Sequence, residues 1–113
     1  MSDDLFLKII QREISADIVY EDDECLAFRD INPQAPMHIL VIPKLHIMRL
    51  IDAEQSHQDL LGHLLLKAKE IAYEQGYGDA FRLVINNGAD VGQTVFHLHI
   101  HILAGREFTW PPG

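Results

Sequence analysis

Cysteine is nearly missing. Cys25 stands alone among 113 residues, which excludes an internal disulfide and fits a reducing compartment. No CxxC surrounds it, so it reads as a buried strand residue. Basic residues are scarce too, nine Lys plus Arg against seventeen Asp plus Glu, for a formal charge of −8. A chain that grips long nucleic acid needs a basic face, so nucleic-acid binding is not expected. A small phosphate remains within reach, because backbone N–H groups and imidazoles can hold one without Lys or Arg. No apolar run approaches a membrane span, so no membrane partner is expected. Asp3, Asp4, Lys8, Arg12 and Glu13 crowd the start of the chain. They argue against a secretory signal and make the cytoplasm the expected location.

What is present is an ordinary balance, 48% hydrophobic and 23% charged, enough for one domain over residues 1–113. The seven histidines are the anomaly. Three of them alternate with apolar residues in Val95-Phe96-His97-Leu98-His99-Ile100-His101-Ile102-Leu103, the pattern of a β-strand with two unlike faces. Phe96, Leu98, Ile100 and Ile102 are expected on a core, and His97, His99 and His101 opposite. An exposed face that happens to carry histidine is the plain reading. A zinc site is a second, but the outer rings lie roughly 13 Å apart along a strand, so one ion needs an outside ligand such as His38 or His46. The third is a row of imidazoles along an anionic substrate, one attacking and the others donating.

Taken in order, Leu5 to Ile10 predict a short amphipathic helix with Asp3 and Asp4 at its positive end. Asp17–Tyr20 and Cys25–Phe28 predict two strands around the acidic, solvated turn Glu21-Asp22-Asp23-Glu24. Two prolines make Asp30 to Met37 an ordered loop, feeding the strand His38–Ile42; Asp30, Ile31 and His38 become site candidates there. Asp52 and Gln55 look like the capping box of a long helix reaching Gln75. Its apolar stripe is Leu60, Leu61, Leu64, Leu65, Ala68, Ile71 and Ala72, with His63 on the wet face. Gly62, Leu66 and Tyr73 widen that stripe beyond what one core needs, which points to a second subunit. Phe81–Asn86 predicts another strand. The loop that follows carries Gly88 and Gly92, free to turn N–H groups toward an anion, and Thr94 with its hydroxyl.

His97-Leu98-His99-Ile100-His101-Ile102-Leu103 fits the histidine-triad pattern at every position, and the chain resembles that superfamily over nearly its whole length. Leu26-Ala27-Phe28-Arg29-Asp30-Ile31, Pro33-Gln34-Ala35-Pro36, Val41-Ile42-Pro43-Lys44, Leu61-Gly62-His63 and the closing Trp110-Pro111-Pro112-Gly113 resemble its nucleotide-binding, purine nucleoside phosphoramidase branch. The resemblance implies an α+β fold, a five-stranded antiparallel sheet with two helices per subunit. It also implies a homodimer joined into one ten-stranded sheet, with the C-terminal tail near the partner site. His99 would attack the α-phosphorus of a purine nucleoside phosphoramidate or acyl-adenylate, forming a nucleotidyl-histidine that water resolves to AMP or GMP. His97, His101 and His38 would line the phosphate. Asp30 would hold the ribose, with Phe28 and Ile31 against the base. Asn86, Gly92, Gln93 and Thr94 would contact phosphate and leaving group. No cofactor and no metal are implied. Asn32 and Thr94 depart from the branch, each standing where Ser is usual, and Gly92-Gln93-Thr94-Val95 looks more like the dinucleoside polyphosphate hydrolases. A nucleotide-sensing scaffold with incidental hydrolysis is the reading from another class.

Overall fold

The computed structural model describes residues 4–113. Asp3 and the side chain of Asp4, expected to start the first helix, lie outside the described residues. Five strands form one antiparallel sheet: β1 (Ile18–Glu21), β2 (Cys25–Arg29), β3 (Met37–Pro43), β4 (Arg82–Val84) and β5 (Ile100–Ala104), in the order β1-β2-β3-β5-β4. Two helices complete the α+β fold, α1 (Asp4–Ile10) and α2 (Gln58–Glu74), one on each face of the sheet.

The central strand explains the layering. Every residue of β3 is buried, because Met37, Ile39 and Val41 pack beneath α2 while Leu40 and Ile42 pack beneath α1. Alternation on β5 follows the same rule: Ile100, Ile102 and Ala104 join the α2 side. His101 pairs opposite Leu40 on the α1 side. Leu64, Ala68, Ile71 and Ala72 supply the buried stripe of α2. Leu60 and Leu61 flank that core, whereas Leu65, expected within it, is exposed beside Leu66.

Three elements differ from their sequence reading. The histidine strand begins only at Ile100, five residues later than expected: its pairing with β3 stops at Val41–Ile100, although β3 itself continues to Pro43 against β2. Beyond the pair Val41–Ile100, the Leu98 amide donates to Ile47 O at 2.7 Å, and the His97 ring donates to Pro43 O at 2.7 Å. The alternation of faces survives for His97, Leu98 and His99, but Phe96 leaves the core and is only half-buried. Asp52 does not cap α2. It closes a separate 3₁₀ turn by accepting from the Arg49 amide, extended Ala53 breaks the helical path, and α2 starts at Gln58. The strand predicted over Phe81–Asn86 shrinks to β4, the span that meets β5.

Candidate active site

Four histidines meet at the α1 face of the sheet, and their hydrogen bonds fix which nitrogens carry protons. An amide can only donate, so the Gln34 N–H, 3.0 Å from His38 Nδ1, makes that nitrogen an acceptor. The proton of neutral His38 therefore sits on Nε2, which faces His101 Nδ1 at 2.9 Å and Asp30 Oδ2 at 3.5 Å. His38 donates to His101, and His101 keeps its own proton on Nε2. His99 is oriented differently. Its Nδ1 donates to the His97 carbonyl at 2.7 Å, which leaves Nε2 with a free lone pair.

Burial keeps all four rings neutral. It is the first cause lowering each pKa from 6.5, to about 4 for His97 and His101 and in the same direction for His38 and His99. Neighbouring imidazoles push His97 and His101 further down, and Asp30 partly opposes the shift at His38, His99 and His101.

His99 and His101 line a cavity of about 240 Å³. Asp30, Phe28, Ile31 and Thr94 line it too, so six of the sequence-derived candidates share one space. Asp30 is held by its own turn: its backbone amide donates to His38 O and its Oδ1 accepts from Asn32 N. Ile31 is 97% exposed and forms the rim. His38 stands behind His101 rather than on the wall.

His97, Asn86, Gly92 and Gln93 are not among the lining residues. The His97 ring is fully buried, stacked on His46 with centroids 5.0 Å apart. Its Nδ1 has no partner among the described residues. Gln93 is a brace: Nε2 donates to Met48 O and Val95 O, while Oε1 accepts from Gly88 N. The Gly92 amide is likewise spent, on Ala89 O, so the expected presentation of N–H groups from Gly88 and Gly92 is not found. The reason is local: positive φ at both glycines, 104° and 105°, folds residues 88–93 into a compact turn that bonds to itself.

The sequence reading missed one wall. Leu5, Phe6 and Ile9 of α1, with Ile14 to Ala16 after it, close the cavity opposite the sheet. Phe6 meets His99 edge-to-face at 5.1 Å and Phe28 at 5.4 Å. The apolar spacing Phe6–Ile9 was the signal, and a partner for His99 is what it could not specify. A larger, more open hollow of about 510 Å³ lies by His46, Arg49, His57 and Phe96, but none of the triad lines it.

A sheet with a helix on each face thus holds one neutral imidazole with an unengaged Nε2 beside others fixed as donors. The HIT domain model matches residues 11–108, and the chain belongs to that family. An uncharacterised HIT-like protein of Synechocystis is 68% identical over 111 residues, covering 98% of this chain and 97% of the relative. A maize protein described as a 14 kDa zinc-binding protein is 51% identical, covering 96% and 87%. A HIT family hydrolase from Legionella pneumophila superposes with a TM-score of 0.94 at 49% identity, covering 96% and 98%.

Proposed function

We propose that this chain is a hydrolase that cleaves purine nucleoside phosphoramidates and acyl-adenylates at the α-phosphate. The observation that carries the reading is the tautomer of His99. With Nδ1–H given to the His97 carbonyl, Nε2 is a neutral nucleophile on a cavity wall. Its lone pair attacks phosphorus and the bond from phosphorus to the leaving group breaks: an amine departs taking a proton from solvent, an acyl group departs as its carboxylate. Water then attacks the nucleotidyl-histidine, freeing the nucleoside monophosphate and restoring the ring. His101 donates from Nε2 to a phosphoryl oxygen, its tautomer held through His38 and the Gln34 amide. Asp30 takes the ribose hydroxyls, and Phe28, Ile31 and the α1 residues enclose the base. Thr94 offers a hydroxyl to the phosphate or leaving group from the rim. His97 acts through its carbonyl rather than its ring.

No step here requires a cation, so turnover is expected to continue in excess chelator. The family relative described as zinc-binding makes that assay decisive, since loss of turnover would favour a metal at the triad.

We further infer a homodimer in the cytoplasm. The supporting features are β4 at the sheet edge, with Leu65, Leu66 and Tyr73 exposed on α2. Trp110 is 82% exposed at the end of a tail that Phe108 anchors against Arg82 and Arg106.

The test is intact mass after rapid quenching, without acid, of a slowly turned-over adenosine phosphoramidate. A mononucleotidyl adduct mapping to His99 is expected; an adduct elsewhere, or none with His99→Ala still active, overturns the mechanism. A dinucleoside polyphosphate hydrolase is the second reading, favoured by Gly92-Gln93-Thr94-Val95. Faster turnover of a diadenosine polyphosphate than of the phosphoramidate would establish it.

A further inference from the structure

Away from the cavity, Asp22, Cys25 and His63 converge from three places: the turn after β1, the first residue of β2, and α2. One carboxylate oxygen, the Cys25 Sγ and one imidazole nitrogen all lie within 4.8 Å of one another. The acidic turn is therefore not simply solvated. Asp22 Oδ1 accepts from the Glu24 and Cys25 amides, both at 2.8 Å, which stops the carboxylate from rotating. Its Oδ2 lies 2.8 Å from the Tyr20 hydroxyl and 2.7 Å from His63 Nε2. The side chains of His63 and Asp22 are 27% and 24% exposed, so an ion arriving from solvent meets them first and the buried sulfur behind them.

A second trio of similar spread, Asp30, His38 and His101, gives the contrast. There the Gln34 amide holds the proton of His38 on the very nitrogen that would have to ligate. His63 is under no such constraint: within the described residues only its Nε2 is engaged, so its proton can move to Nδ1.

We propose that Asp22, Cys25 and His63 form a site for a thiophilic divalent ion such as Zn²⁺, with the Tyr20 hydroxyl or a water as the fourth donor. Thiolate, imidazole and carboxylate are a donor set that tetrahedral zinc accepts. Bonds of about 2.0–2.3 Å place such ligands about 3.3–3.7 Å apart, so Asp22 and His63 separate slightly as the ion seats. The Cys25 thiol proton leaves to solvent, and the His63 proton transfers from Nε2 to Nδ1. Two ligand charges then match those of the ion. Lys67, the cation facing this cluster from α2, is offset by Glu70 at 3.1 Å. Burial pushes the thiol up to about 12, with Asp22 adding to the shift. Ion uptake must displace that proton, so binding strengthens as pH rises. The site is independent of the reaction proposed above.

The experiment titrates chelator-stripped full-length protein with Co²⁺ at about pH 8, reading the thiolate-to-cobalt charge-transfer band, then displaces Co²⁺ with Zn²⁺. One ion per chain is expected. Cys25→Ser should abolish the band, and His63→Gln should weaken Zn²⁺ binding at least tenfold. His101→Gln should keep both signals. The surface position of His63 keeps the test valid if Cys25→Ser does not fold. No ion bound, or binding that survives Cys25→Ser and His63→Gln but fails in His101→Gln, overturns the proposal.

Discussion

His99 and His101 are the same residue type two positions apart, yet one is left with a free lone pair on Nε2 and the other with its proton there. The difference comes from two carbonyl and amide groups, His97 O and Gln34 N. In the proposed mechanism His99 carries the covalent intermediate, so His99→Ala should lower turnover more than about a thousandfold; steady-state kinetics checks this. Burial also sets the pH response. Burial lowers the pKa of His99, so in the proposed mechanism the attacking lone pair survives below the pH at which free imidazole charges, and a pH–rate profile should place the acid limb of turnover below 6.5. Stability follows the linked sign. In the unfolded chain His97 and His101 charge near 6.5, whereas in the fold they resist protonation until about 4. Stability is therefore full above pH 6.5 and drains away as pH drops toward 4, which thermal melts across that window would show. Strict alternation made the histidine row legible, with a core opposite it. Proton positions were not legible, because they depend on which way each ring turns: His99 toward the carbonyl two residues back, His97 toward Pro43 O fifty-four residues distant.

At the scale of elements, α1 serves the cavity more than its length suggests. Phe6 is buried between Phe28 and the rings of His97 and His99. Phe6→Ala should cost about 3 kcal/mol of stability and raise KM, read by denaturant melts and kinetics. The helix itself could be read from its apolar spacing, but its docking over β3 is long-range packing that periodicity does not encode. The end of β5 is constrained differently. Gly105 has φ of 97°, and a Cβ there would approach Pro36 Cβ to 2.8 Å. Gly105→Ala should cost about 2 kcal/mol through that conformation and clash and displace the loop that leads to His38. Higher KM with a lower melting temperature would show both effects. That contact, like the self-bonded turn of Gly88 to Gln93, is decided by where the chain returns. The prolines and glycines announced loops without giving their partners.

For the whole molecule, the apolar arc of α2 anticipated an exposed face, and the structure widens it by turning Leu65 outward with Leu66. Among the described residues that face has no cover, and β4 is an edge of the sheet. If the proposed dimer forms through this face, Leu66→Glu should shift it toward monomer in light scattering, while the fold persists by circular dichroism. A dimer that keeps its mass would place the interface elsewhere. The sole sulfhydryl, Cys25, is wholly shielded where the start of β2 meets α2. Alkylating reagents, bulkier than an ion, can reach it only when Asp22 and His63 move well apart or the sheet parts from that helix. The labelling rate under native conditions thus serves as a built-in clock for opening events, and any substitution that loosens the core will make it run faster.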